Sequence, residues 1–576
     1  MSPPAPRRRR AALVLGTLLA LAACTGAPPD SPSVSISAGP AAPAATNATA
    51  TAPVGPGSTS PAPGTDPRAA AYLCWSAPAA GPGEPAVSDV TTAVGIDAAL
   101  AGMMVHAVAA GDVNGDSYVD LFVGTFADRP QSEYAVRGAT GPAPDRLLLG
   151  SAAGFRVSPD FPEMRGRTAG AAFADLDGDG DLDLILSRNP RPKPRADAPS
   201  VVLRNDGGRF APATVLDTTR GGRSIGVVDY DGDGLLDVVL TEDRWTGGSS
   251  VLFHNDGGLA FSDRTAAAGL PSDIHALGVS TVDLSGDRRP DLFFSGSNRL
   301  FVGGQDGRFV EEAAPEFGWT AYGNEDDVAG VAAADLNDDG RVDLVLGQHY
   351  NSTLDAGRRV PIRVYLNEGP RAGRAVAFRD VTSASGIPDL PTKAPHVEIV
   401  DLNADGRLDI LTTAASGSPG RPVTLINTAE VGQSPQFTAM QPVEPPGEPT
   451  YWVTGATFDS NHDGRLEIFL AEWFPQRPSL VLSQSGGSDH WLTVGADVGT
   501  EVAVYAAGHA LDPAHLLGRR EVVASTGFGA GAEPVVRLGL AAAPTVDVVI
   551  TRRQGEPTTL HDVPGDSFLA ADGACG

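Results

Sequence analysis

The chain is poor in cysteine, in basic residues and in aromatics. Three cysteines in 576 residues cannot staple a disulfide scaffold. Lys and Arg number 42 against 70 Asp and Glu, a formal net charge of −28. So acidic a surface argues against nucleic acid, whose phosphates need cations. At 42% hydrophobic residues and a mean hydropathy of −0.06, the chain is neither a disordered acidic tail nor a polytopic membrane protein. It has no Gly-x-Ser-x-Gly elbow, no phosphate-cradling glycine loop and no free interior cysteine, so no catalytic constellation is expected. Length alone would suggest about four domains.

The N-terminus carries an export signal. Arg7 to Arg10 precede an apolar stretch, Ala11 to Ala23, too short to span a bilayer as a helix. It ends in Leu21-Ala22-Ala23-Cys24, which resembles the lipobox of bacterial lipoproteins. Residues 1–24 are therefore expected to direct export, and Cys24 to be lipidated, giving a bacterial cell-surface lipoprotein anchored only through its acyl chains. Residues 25–70, dominated by Pro, Ala, Ser, Thr and Gly, are expected to form a disordered tether. With Cys24 acylated, Cys74 and Cys575 remain at the two ends of the folded region, and a disulfide between them is expected in an oxidising compartment.

What the chain has in abundance is one acidic motif, Asp-x-[Asp/Asn]-x-Asp-Gly-x-x-Asp. Copies begin at Asp112, Asp175, Asp229, Asp283, Asp335, Asp401 and Asp459, spaced 52 to 66 residues apart. Such a period marks stacked or radial units, none able to bury its own apolar face alone. Each loop leads into a short apolar run such as Leu184-Ile185-Leu186. A hairpin signature follows, as in Asn205 to Phe210 and Asn255 to Phe261. About four short strands per unit match a propeller blade. Five positions before each first Asp lie Ala107, Gly170, Ser224, Gly278, Gly330, His396 and Thr454, six of them small, as crowding near an axis requires. The fold expected is all-β: a seven-bladed β-propeller over residues 71–485, then a small C-terminal β domain over 486–576.

These loops resemble the FG-GAP (VCBS-type) repeats of integrin α-subunit propellers. The fuller chain resembles the cartilage acidic protein family and its bacterial relatives, which end in an ASPIC/UnbV domain. The C-terminal likeness rests on His490-Trp491-Leu492, Gly527-Phe528, Arg537-Leu538-Gly539-Leu540, Val546-Asp547-Val548 and Asp562-Val563-Pro564. It departs from the family near Val498 to Val502, where the lead-in is shortened, and at Arg552-Arg553-Gln554-Gly555, where the family has a Trp-Pro-Ser-Gly turn.

The loop chemistry suits Ca²⁺, a hard cation taking six to eight oxygens in flexible geometry. Side chains at positions 1, 3 and 5, the carbonyl at 7 and a carboxylate at 9 can converge on one ion. The expected ligand sets are Asp112, Asn114, Asp116, Tyr118 and Asp120; Asp175, Asp177, Asp179, Asp181 and Asp183; and Asp229, Asp231, Asp233, Leu235 and Asp237. The fourth set is Asp283, Ser285, Asp287 and Asp291; the fifth Asp335, Asn337, Asp339, Arg341 and Asp343; the sixth Asp401, Asn403, Asp405, Arg407 and Asp409; the seventh Asp459, Asn461, Asp463, Arg465 and Glu467. The loops at Asp175 and Asp229, with four carboxylates each, should bind best. The Asp283 loop, with Ser285 and Arg288 at positions 3 and 6, should bind worst. Positions 1, 3, 5 and 9 hold 23 of the 70 acids, which leaves 47 against 42 bases, so most of the surplus charge belongs to the loops.

Three functional readings follow, and fold does not decide among them. The first is a calcium-binding extracellular protein-interaction or adhesion module; the second a carbohydrate-binding surface propeller; the third a polysaccharide-active enzyme. The partner would be an extracellular protein or a cell-wall glycan, and the chain itself a monomer and no enzyme. His106, His275 and His396 fall in strands approaching the loops and could face a central channel. Trp452, Trp473 and Trp491 could offer a sugar platform, though packing explains them more simply.

Overall fold

The computed structural model describes residues 67–573, apart from 78–82, 129–130, 137–140, 190–197, 218–219, 245–247, 319–325, 351–361, 389–394, 414, 417–423, 431, 441–449, 475–477 and 488–489. The signal segment, Cys24, most of the tether and Cys575 lie outside the described residues. Contacts divide the chain into residues 1–53 and 54–576, and everything below concerns the second unit.

As the sequence predicts, the protein is all-β: among the described residues helix is confined to Ile96–Ala99, Gln131–Val136 and short 3-10 turns. Every acidic loop joins the first two strands of one antiparallel sheet. The first sheet contains Val105–Gly111 and Asp120–Thr125, the second Thr168–Ala174 and Asp183–Arg188, the third Gly222–Val228 and Asp237–Glu242. The fourth contains Ala276–Ser280 and Leu292–Gly296, the fifth Asp326–Ala334 and Asp343–Tyr350, the sixth Val397–Val400 and Asp409–Thr412, the seventh Thr450–Phe458 and Glu467–Glu472. The outer edge of the seventh is supplied by the opposite end of the chain, where Gly83–Asp89 pairs with Leu480–Gly487.

The continuous apolar runs after the loops now have a reason. Successive strand residues point to opposite faces, so each run serves two cores. Phe293 packs with Leu344 and Tyr365 of the fifth sheet, while its neighbour Phe294 packs with Val239 and Leu252 of the third. Leu184 meets Phe122 of the first sheet, and Ile185 meets Val227 and Val238 of the third. Val345 joins Ile410 of the sixth sheet, and Leu411 joins Trp452 and Ile468 of the seventh. Phe458 and Phe469 of the seventh sheet pack on Val108 and Leu121 of the first. Each such burial contributes about 1.5–3 kcal/mol, so each sheet draws part of its stability from its neighbours.

The small residues of the inner strands sit where one backbone touches the next. A Cβ on Gly278 would stand 2.4 Å from the Ala329 carbonyl oxygen, and one on Gly330 would stand 2.5 Å from that of Pro395. The Ser224 hydroxyl donates to the Leu277 carbonyl at 2.7 Å.

Two further four-stranded sheets enclose a core of Leu492, Val494, Val502, Val504, Val548 and Ile550. One combines Leu73–Ser76, Ser567–Ala570, His490–Gly495 and Val535–Ala541; the other Leu516–Glu521, Glu501–Ala506, Thr545–Thr551 and Thr558–Pro564. The strand Leu73–Ser76, which the sequence pattern assigns to the repeat region, thus belongs with the C-terminal sheets. Cys74 on it is disulfide-bonded. The chain end runs alongside, with the Ala570 amide donating to the Tyr72 carbonyl at 3.0 Å.

The segment after Glu521 runs against the inner strands of several of these sheets. Ala530–Gly531 pairs in parallel with Val108 and Ala109, Gly527 exchanges backbone hydrogen bonds with Val331, and Phe528 packs among Leu277, Ala329 and Val453.

Candidate metal centres in the seven acidic loops

The loops share one internal scaffold. The first acid accepts backbone amides from three to five residues on: Asp175 from Gly178 and Gly180, Asp229 from Gly232 and Gly234, Asp401 from Asp405 and Gly406. The fifth accepts the amide of the seventh, as Asp116 does from Tyr118 and Asp463 from Arg465. The ninth opens or adjoins the second strand and reaches two ways. Asp183 accepts from Leu176 in its own loop and from Asn205, just past the third strand Ser200–Arg204, and Asp237 likewise from Tyr230 and from Asn255, which ends the third strand Val251–Asn255. Glu467, one carbon longer, takes Ser460 and Ser483 instead.

These acids are buried without enough opposing charge. Burial, reinforced by neighbouring loop carboxylates and opposed by backbone amides, pushes Asp120, Asp183, Asp237, Asp291, Asp401 and Asp459 up to about 7. Asp335 rises to about 6 for the same reason, and Asp343 and Asp409 are held well above the ordinary carboxylate range. Asp112, Asp175, Asp229 and Glu467 are also raised, again chiefly by burial. A divalent cation among such oxygens would replace protons with a matched charge.

Position 3 separates the loops. Where it is Asn, its amide donates to the fifth acid: Asn114 to Asp116 at 3.1 Å, Asn337 to Asp339 at 3.3 Å, Asn403 to Asp405 at 3.0 Å and Asn461 to Asp463 at 3.2 Å. Where it is Asp, the carboxylates face one another. Oxygens of Asp175, Asp177 and Asp183 lie within 4.8 Å of each other, as do those of Asp229, Asp231 and Asp233. Position 7 adds a second difference. Arg289, Arg341 and Arg407 turn back onto the fifth acids Asp287, Asp339 and Asp405. Position 6 has positive φ throughout, so Ser117 at +71° and Arg288 at +67° sit in the left-handed region that glycine occupies elsewhere.

Several participants escape the motif. His254 places Nδ1 3.1 Å from Asp237, and Arg204 lies 3.0 Å from Asp179 and 3.4 Å from Asp177. The hairpin asparagines do more than turn the chain. Asn205 donates its side-chain amide to the Val113 carbonyl of the preceding sheet's loop at 2.8 Å, and Asn255 and Asn367 repeat this with Leu176 and Leu284.

The C-terminal sheets lie against these loops. The Gly539 amide donates to Asp401 at 3.0 Å, Arg520 stands 3.4 Å from Asp338, and Arg553 and Gln554 donate to the carbonyls of Asp229 and Gly232. The turn that departs from the family pattern is therefore what grips the third loop. Gly464 fits beneath Trp491, where a Cβ would stand 2.1 Å from the indole Nε1. Asp112, Asp175, Asp229 and Asp459, with Arg537 and Arg553, line one cavity of about 810 Å³ between loops and C-terminal sheets.

Residues 229–294, from the third loop through the second strand of the fourth sheet, match the FG-GAP-like repeat family. Human cartilage acidic protein 1 is 28% identical over 374 residues, covering 60% of this chain and 52% of that protein. The mouse protein is 28% identical over 366 residues, covering 58% and 52%. One repeat of the chain thus matches the FG-GAP-like family, and the chain is similar to the cartilage acidic proteins. It spans about half the length of the curated relatives it matches. Among solved structures, the biofilm matrix protein Bap1 of V. cholerae aligns over 86% of this chain and 70% of its own, at 13% identity and a TM-score of 0.30.

The histidines and tryptophans take structural places. His106 is buried against Phe126, Trp473 and Phe528, and burial holds its imidazole down to about 3, hence neutral. His396 is fully buried, and its Nδ1 accepts the Phe528 amide at 3.2 Å. His275 is half-buried at the start of the fourth sheet. Trp452 and Trp491 are 1% and 5% exposed, which removes both as sugar platforms.

Proposed function

We propose that this protein is a calcium-stabilised, seven-bladed β-propeller acting as an extracellular protein-interaction or adhesion module, held at a bacterial surface through a lipid on Cys24. The seven sheets are its blades, and the seven loops its ion sites. The observation that carries this reading is the recurrent burial of carboxylates at positions 1 and 9 without sufficient counter-charge, beside the oxygens of positions 3 and 5. Hard oxygen donors, joined by the His254 imidazole at the third loop while His462 of the seventh turns to the Ser117 carbonyl, fit calcium better than zinc or copper. The residues present also fit a structural role for the ion, because the ninth acid ties each loop to the third strand of its own sheet. The anchor rests on Leu21 to Cys24, and the Cys74–Cys575 bond on the pairing of Leu73–Ser76 with Ser567–Ala570. The burial of Trp452 and Trp491 favours a protein partner over a glycan.

The reading is tested by capturing exported proteins on the immobilised chain in calcium and again in EDTA. A partner retained only in calcium, and lost when Asp183 and Asp237 are replaced by Asn, is expected. Equal capture under both conditions would remove calcium from the function, and cleavage of a polysaccharide by the purified chain would replace the proposal with an enzyme.

A further inference from the structure

A second cluster with metal-binding chemistry lies away from the acidic loops. The strands Glu501–Ala506 and Leu516–Glu521 form a hairpin of the C-terminal sheet. Glu501, Arg519 and Arg520 line the cavity beside the fourth and fifth loops. The connection 507–515 lies at the other end of that hairpin, about 16 Å away at the rise of an extended strand. Three residues meet there. His509 and His515 stack with ring centroids 3.7 Å apart, and Asp512 Oδ2 lies 2.8 Å from His515 Nδ1. Ligand atoms of all three fall within 4.8 Å of one another.

The backbone holds them in place. Leu511 adopts φ +67°, the Asp512 amide donates to the His509 carbonyl, and the His515 amide donates to that of Asp512. Asp512 caps the short turn Pro513–His515 through the Ala514 amide, which fixes one of its oxygens and leaves the other toward the rings. Beneath, fully buried Asp547 accepts the Ala510 amide at 3.1 Å and pairs with His561 at 3.2 Å, so the loop is seated on the sheet. His509 is exposed, and His515 is 42% exposed, so an ion can reach them.

The geometry points to a binding site for a borderline transition-metal ion, zinc foremost, formed by His509, Asp512 and His515. Two imidazoles and a carboxylate are zinc's ordinary donors, and three protein ligands leave the fourth tetrahedral position to water. Calcium, which takes oxygen, is not served by this set. The protein would thus carry two chemically separate kinds of metal site, oxygen-rich loops and one nitrogen-rich hairpin.

The test is equilibrium dialysis of the full chain against Zn²⁺ in saturating calcium, with Co²⁺ as a spectroscopic probe. One tightly held equivalent is expected, with a tetrahedral Co²⁺ ligand-field spectrum bleached by zinc. Loss of a supporting group alone weakens metal binding by about 10- to 100-fold. His515→Gln and His509→Gln should each weaken it by at least that much, while the calcium-dependent melting shift stays unchanged. No zinc retained in saturating calcium, or the same retention by the His509→Gln/His515→Gln double variant, would overturn the proposal. So would loss of zinc on His254→Gln alone, which would place the ion in the third loop.

Discussion

The second and third loops and the fourth to sixth loops share a backbone but handle their charge differently. At Asp175 and Asp229, four carboxylates stand together, and oxygens of three of them lie within 4.8 Å of one another. At Asp335 and Asp401, an Asn at position 3 donates to the fifth acid and an Arg at position 7 closes on it. The Asp283 loop has Ser285 and Arg289 in those places. The first pair sets four carboxylates against one neighbouring cation each, Arg204 in the second loop and His254 beside the third. The others have three carboxylates and a position-7 guanidinium already closed on the fifth acid, with which an ion must compete.

The largest effect expected is that of chelation on the whole fold. A ligand at about 100 times its Kd stabilises by about 2.7 kcal/mol per site, so several sites together should lower the melting temperature far beyond an ionic-strength control. The pH dependence should invert with it. Buried loop acids near 7 hold protons in the fold that the unfolded chain releases near about 4. In EDTA, stability should therefore fall as pH rises from about 4 to 7, because the folded state binds more protons there. In calcium the ion displaces those protons, and the fall should shrink or reverse. Parallel melting curves with and without calcium across that range would contradict a shared origin.

Next in size is the tie between neighbouring sheets. Asn255→Ala leaves the carbonyls of Leu176 and Leu236 unpaired in the interior and should cost about 1–3 kcal/mol. Asn367→Ala should cost as much in the fifth sheet, since this bond does not depend on loop charge. A large difference between the two in urea melts would show that the asparagines report the ion after all.

A direct exchange of the two loop types comes third. Asp231→Asn should raise the melting point in EDTA by the equivalent of about 1 kcal/mol, by removing repulsion, while weakening calcium binding. Asn337→Asp should do the reverse, and same-sign changes in both would break the comparison. The smallest effect is expected from Arg407→Gln. It removes a half-exposed ion pair worth at most about 1 kcal/mol and should slightly tighten calcium at that loop, as titration calorimetry would read.

What was legible in the sequence was local. Nine residues fix the loop, so the oxygen donors and the strain at Ser117 and Arg288 could be read from spacing. The apolar runs identify strands, because burial on both faces needs no partner to be named. What was hidden acts across long sequence distances. Nothing near Phe528 announces that its amide will meet His396, 132 residues earlier, nor does the segment around Asn205 announce Val113, 92 residues earlier. His254 was missed because it belongs to a neighbouring strand and not to the motif. The pairing of Leu73–Ser76 with the C-terminal sheet was missed because a four-residue strand has no pattern of its own.

The most direct measurement is the calcium occupancy of each loop, read from anomalous scattering in crystals grown at graded calcium. Density should fill first at the Asp175 and Asp229 loops and last at the Asp283 loop. An occupied Asp283 site beside an empty Asp175 site would contradict the claim that the number of loop carboxylates sets the order.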